Sequence, residues 1–228
     1  MSFDLSDSEN ESVEEQLKVV LLGEPSVGKT SIVTRYCNNE FTKQYFPTCG
    51  VDFFLKRLVL QRDRNVTLKI WDVGGTAHNG NMIDKYIFGA NIIFLVYDVT
   101  NDTSFSCIPH WMELVKDVVK MQETQPMMVL VGNKCDLEHQ RSIRQERHEK
   151  FSNDSHISSH VVSSRTGESV SLAFQKTAAE YLGIKLTRSE IEEQQPVVRA
   201  EISTHSNIPL QPVRNSLQHS RSSICTLQ

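Results

Sequence analysis

Between residues 17 and 182 short apolar runs alternate with longer stretches of mixed apolar and polar positions. LKVVLL (17–22), IIFLVYD (92–98) and MMVLVG (127–132) are almost uninterrupted apolar runs, the pattern of parallel strands buried on both faces. VDFFLKRLVL (51–60) and VTLKIW (66–71) flank the polar link QRDRN, which predicts an antiparallel hairpin. HVVS (160–163) supplies a sixth strand, and helical patterns fit 28–38, 104–121, 141–153 and 168–182. This order predicts a doubly wound α/β domain, a mostly parallel six-stranded sheet with one antiparallel edge strand.

Outside that alternation the character changes. Residues 1–15 are rich in Asp, Glu, Ser and Asn and read as a solvated acidic tail. The folded domain is expected over 16–184, and 185–228, dominated towards the end by Ser, Gln, Asn, Pro and His, reads as a flexible tail.

A net charge of -4 gives no surplus for nucleic-acid binding. No apolar run is long enough to cross a bilayer, the acidic N-terminus does not resemble a secretory leader, and Ser2 excludes N-myristoylation. Five scattered cysteines without a CxxC pair argue against a disulfide framework or a zinc site and fit the reducing cytosol. His156 and His160, four residues apart with no third ligand nearby, are expected as surface histidines.

The first chemistry lies between the first strand and the first helix. GEPSVGKT (23–30) satisfies G-x-x-x-x-G-K-[ST] in the strand–helix context that the mechanism requires. Backbone N–H groups of a loop spanning Gly23, Ser26, Val27 and Gly28 wrap a phosphate, aided by the helix terminus. Lys29 reaches the terminal phosphates and the Thr30 hydroxyl ligates Mg²⁺. Pro25 offers no N–H, so it stiffens the loop while the donors come from Ser26 to Thr30.

GNKCD (132–136) follows another buried strand and supplies Asn133, Lys134 and Asp136. The Asp136 carboxylate accepts two bonds from the N1–H and exocyclic amine of guanine, whereas adenine would set a lone pair against it. Each charge-assisted bond is worth roughly 1.5–3 kcal/mol, which disfavours an ATP user. The Lys134 stem lies over the base plane. Ser163, Ser164 and Arg165, in VVSSRTG, end the sixth strand where a backbone N–H meets the guanine O6.

GEPSVGKT, YFPTCGVDF, WDVGG, GNKCD and SSRTG, in this order, resemble the five nucleotide-contact segments of Ras-superfamily small GTPases, a likeness covering about residues 16–184. CGVDF and DKYIFGA resemble the Rab family, and GVDFFLKRLVL with a CaaX ending is similar to its divergent Rab twenty-eight subgroup. The resemblance implies a P-loop small G domain, with Phe41 edge-on to the guanine and Tyr45 closing over the phosphates. It also implies Thr48 on Mg²⁺ and the γ-phosphate, Asp72 on Mg²⁺ through water, and the Gly75 N–H on the γ-phosphate. Phe53, Trp71 and Tyr86 match the aromatic trio through which Rabs read effectors.

The chain departs from the family directly after Asp72-Val73-Gly74-Gly75. Thr76 stands where glutamine orients the attacking water, and it is too short to span the same gap. His78 lies two residues late to substitute. Thr48, Mg²⁺, Lys29 and the loop amides retain most of the electrostatic work, so hydrolysis is expected to be slow without an activating protein. Rab-directed activating proteins resemble an external catalytic kit that brings its own arginine and glutamine, and an arginine finger is worth ~10³–10⁵ in rate. Gly74, Gly75 and Gly80 make the second switch loop easy to rearrange.

Cys225-Thr226-Leu227-Gln228 reads as a CaaX box, predicting farnesylation of Cys225. Most Rabs end in two geranylgeranylated cysteines instead, so a prenyl-binding carrier replaces their usual escort. One lipid chain anchors reversibly, and Arg214 and Arg221 add about 1 kcal/mol each at an anionic leaflet. The expectation is a GTP/GDP switch at the cytoplasmic side of membranes, exchanging with cytosol and served by an exchange factor, an activating protein and effectors. The subgroup resemblance implies a vesicle or ciliary setting, including the basal body. The alternative is a GTP-binding adaptor with little or no hydrolysis.

Overall fold

The computed structural model describes residues 15–61, 64–77, 82–120 and 122–187. Six strands, β1 (Glu15–Leu22), β2 (Val51–Leu60), β3 (Arg64–Val73), β4 (Ile92–Asp98), β5 (Met127–Asn133) and β6 (Ser158–Val161), form one sheet. Its order is β2-β3-β1-β4-β5-β6, with β2 antiparallel to β3 at the edge and every other pair parallel. The expected fold class is the one observed.

The apolar runs explain the layers. All seven residues of β4 are buried. In β1, Leu17, Val19 and Leu21 face one apolar cluster while Val20 and Leu22 face the other. The first cluster is closed by α1 (Lys29–Asn38) and α6 (Val170–Tyr181), where Tyr36 stacks on Phe174 at 4.0 Å. The second is closed by α2 (Ile83–Ile87), α3 (Asp102–Ser106) and α4 (Ile108–Val119), with Trp111 nearly fully buried. α5 (Gln145–Ser155) contributes Phe151 to its margin.

Three departures from the sequence reading have physical causes. The helix expected over 104–121 is two helices, separated at Cys107. Pro109 lies in the first turn of α4; inside one continuous helix it would remove a hydrogen bond and clash with the carbonyl four residues back, at about 3 kcal/mol. α5 begins at Gln145 instead of 141, because Ser142 N and Ile143 N both donate to Val99 O and the Ile143 side chain is fully buried. A short 3₁₀ turn, Glu138–Gln140, precedes it. β6 is shifted to Ser158–Val161, since Ser163 and Ser164 leave the ladder to serve the site.

At the far end Ile184 and Leu186 pack onto the first cluster. The acidic tail up to residue 14, Asn81, His78, Gly80, Arg214, Arg221 and Cys225 lie outside the described residues.

Candidate functional site

β1 sits where the winding reverses, with β3 on one side and β4 on the other, and the site forms at its C-terminal end. There the chain turns through 23–28 into α1. Gly23 has φ +143 and a Cβ on it would lie 2.1 Å from Val96 O, so the loop can cross β4 only with glycine there. Val27 is buried in the first cluster, which leaves its main chain to the loop. Inside the loop Lys29 Nζ donates to Gly23 O at 2.7 Å and Glu24 O at 2.9 Å. Burial pulls the Lys29 ammonium down to about 8, against the opposing pull of Asp72 and Glu24.

Beside Lys29 an oxygen-rich cluster assembles from three elements. Thr30 Oγ1 donates to Asp72 Oδ2 at 2.5 Å and lies 3.0 Å from Thr48 Oγ1, which is 3.4 Å from the same carboxylate oxygen. Burial pushes the Asp72 carboxyl up, opposed by the Thr30 hydroxyl and the Lys29 ammonium. Among the described residues Asp72 Oδ1 is buried with no hydrogen-bond partner. Hard oxygen donors and a buried carboxylate oxygen in need of a partner fit a small divalent cation such as Mg²⁺. Among the described residues no group of three or more His, Cys, Asp or Glu offers a rival metal centre.

The two loops carrying Thr48 and Gly75 meet at the base of the β2–β3 hairpin. Val51 pairs with Val73, and Gly74 N donates to Gly50 O at 2.8 Å. A Cβ on Gly75 would lie 2.3 Å from Pro25 N, so this loop is packed against the phosphate loop backbone. Thr76 is exposed and does not line the cavity.

That cavity, about 750 Å³, runs from Ser26, Gly28, Lys29 and Thr30 to Lys134, Asp136, Ser164 and Arg165, with Phe41, Tyr45, Thr48 and Gly75 along its wall. Its size suits a nucleotide, and its far end is where a base would be read. Asp136 Oδ1 accepts from Ser163 Oγ at 2.7 Å, and Arg165 approaches Oδ2 at 3.9 Å. Lys134 Nζ reaches Ser26 O at 3.0 Å and pairs with Asp98 Oδ2 at 2.6 Å, laying its stem between the two loops.

Asn133 and Ser163 are brought to this end yet do not line the cavity. Asn133 is fully buried: Nδ2 donates to Val27 O at 2.9 Å and Oδ1 accepts from Ser164 N at 3.1 Å. It ties the loop that follows β6 to the loop that follows β1. Asp98, which holds Lys134, was missed by the sequence reading; its signal is a lone acid ending the apolar run IIFLVYD.

The aromatic trio forms one cluster that runs from the surface inward, with Trp71 and Tyr86 half-buried against the second apolar cluster. Phe53 is 63% exposed and meets Trp71, its cross-strand partner, edge-on at 4.6 Å. Trp71 lies 6.4 Å from Tyr86, with Lys18 Nζ 3.7 Å from the indole centroid.

His156 is exposed, capping α5, but His160 is not the surface residue expected. α6 packs over β6 and places Thr177 Oγ1 3.2 Å from His160 Nε2, and burial pulls that imidazole down to about 4. Cys37, Cys49, Cys107 and Cys135 are free thiols. Burial and Glu168 push the Cys135 thiol up to about 12, an unreactive state.

A protein-family model described as the Ras family matches residues 18–182. Across 225 residues the chain is 38% identical to the Ras-related protein Rab-28 of Caenorhabditis elegans, covering 98% of this chain and 91% of that protein. No helix of the described residues is long and apolar enough to cross a membrane.

Proposed function

The chain belongs to the Ras family as a Rab-like small GTPase most like Rab-28, and on that premise we propose a slow, partner-reset switch that recruits effectors to membranes. The observation that carries this reading is the Thr30–Thr48–Asp72 cluster beside Lys29, joined through Gly74 and Gly50 to the hairpin that carries Phe53 and Trp71.

In this reading Gly23, Ser26, Val27 and Gly28 shape the main-chain cradle for the β- and γ-phosphates, and Lys29 supplies its charge from a buried position. Thr30, Thr48 and Asp72 would hold Mg²⁺, which would offset the negative charge of the phosphates. Asp136, oriented by Ser163, selects guanine, and Lys134, Ser164 and Arg165 enclose the base with Phe41. Tyr45 covers the phosphates. With GTP, Thr48 and the Gly75 N–H engage the γ-phosphate and both loops tighten; with GDP they relax. Phe53, Trp71 and Tyr86 then present the tightened state to effectors.

Hydrolysis is slow because Thr76 lacks the reach to orient water, and its exposed position outside the cavity lining supports that view. An activating protein resets the switch and an exchange factor reloads it. Farnesyl on Cys225 attaches the protein reversibly to the cytoplasmic side of vesicle or ciliary membranes, with a prenyl-binding carrier returning it to cytosol. Residues 16–184 form the G domain, followed by a tail at 185–228. Single-turnover GTP hydrolysis tests the catalytic part: Thr76→Gln should accelerate it, and equal rates for both proteins remove the explanation.

A further inference from the structure

We propose that Arg35 is a positioning residue that locks the guanine-side turn onto the helix growing from the phosphate loop, and so governs how long a guanine nucleotide stays bound. The inference rests on the guanine-nucleotide reading above. Arg35 lies on α1 less than two turns beyond Lys29, half-buried, and its guanidinium spans three main-chain carbonyls. Nε donates to Ser164 O at 3.0 Å, Nη2 to Arg165 O at 2.7 Å, and Nη1 to Asn39 O at 2.9 Å.

The turn is built around this side chain. Gly167 has φ +88, and a Cβ there would lie 3.5 Å from Arg35 Cδ, so the chain closes over the arginine stem. Gly167 N donates back to Ser163 O at 2.8 Å, and Thr166 N to Ser163 Oγ at 3.1 Å. Peptide units are planar, so fixing the Ser164 and Arg165 carbonyls also fixes the N–H groups on the opposite side of the same units. Those amides belong to the segment that meets the guanine 6-oxo group. Asn133 ties the turn to the phosphate loop from β5, and Arg35 ties it to α1 from the other side. A planar guanidinium can hold two consecutive carbonyls at fixed angles, which a lysine ammonium cannot.

The test uses the full-length chain loaded with GDP or with 6-thio-GDP, which keeps the N1–H and the 2-amine but offers a weakly accepting sulfur at position 6. Arg35→Ala should speed GDP release about tenfold, the worth of one charge-assisted hydrogen bond. Release of 6-thio-GDP should quicken by about twofold or less, because less of its hold comes from that contact. Arg35→Lys should show the same preference in milder form, and carries the comparison where the alanine variant does not fold. Equal acceleration of both nucleotides, or none, overturns the role of Arg35. A wild-type chain that holds neither nucleotide sinks the guanine reading itself, and this inference with it.

Discussion

Asn133 lies fully buried between two loops, and Asn133→Ala removes the partners of Val27 O and Ser164 N together. An unpaired buried donor or acceptor costs about 1–3 kcal/mol, so the two together cost at least about 2 kcal/mol. For a domain of this size that lowers the melting temperature by about 4–8 °C. Because Asn133 is outside the cavity lining, the loss should appear in the protein with and without GDP, alongside faster GDP release. Thermal unfolding followed by circular dichroism in both states measures the first effect, and a fluorescent-GDP chase the second. Asn133→Asp keeps an acceptor for Ser164 N but turns a carboxylate on Val27 O, and should be no more stable than the alanine variant. If Asn133→Ala melts like wild type without nucleotide and weakens only the loaded protein, the residue acts on the ligand directly and the bracing argument is wrong.

Three further outcomes are expected. With a Cβ 2.3 Å from Pro25 N, Gly75→Ala should be unable to tighten, so GTP should leave amide exchange at residues 45–50 as fast as GDP does; protection equal to wild type contradicts this. His160 is held near 4, below its unfolded value near 6.5, so the unfolded chain binds the extra proton between those pH values and stability should fall as pH drops from about 6.5 to 4. Urea titrations should show a shallower fall for His160→Leu, and an unchanged slope refutes the assignment. Asp98→Asn should loosen Lys134 and speed GDP release about fivefold, on a pair worth about 1 kcal/mol; an unaltered off-rate would show that the pair is ornamental.

β4 was readable because burial on both faces leaves no polar alternation. β2, an edge strand with Phe53, Leu55 and Val59 exposed, was readable from its β-prone run, and both strands have the bounds that their runs mark. The break at Cys107 was also written in the chain, as Pro109, but a period-based reading of 104–121 passes over it. Motif spacing brought the phosphate and guanine ends together, yet it could not say which side chains face the cavity. Asn133 and Asp136 sit three residues apart in one motif; one turns inward to bind main chain and the other outward to the cavity, a distinction made by β5 ending between them. Arg35, Asp98 and His160 depend on partners 129, 36 and 17 residues away, and no local pattern records such pairings.

The bond from Gly74 to Gly50 has a consequence for anything that senses this protein from outside. Loops 45–50 and 74–77 are stapled at the mouth of one hairpin, so neither can slacken without tugging its neighbour. On the switch proposed above, a protein that grasps a single arm of that fork would learn the condition of both, and a small footprint would be enough to tell the loaded form from the spent one.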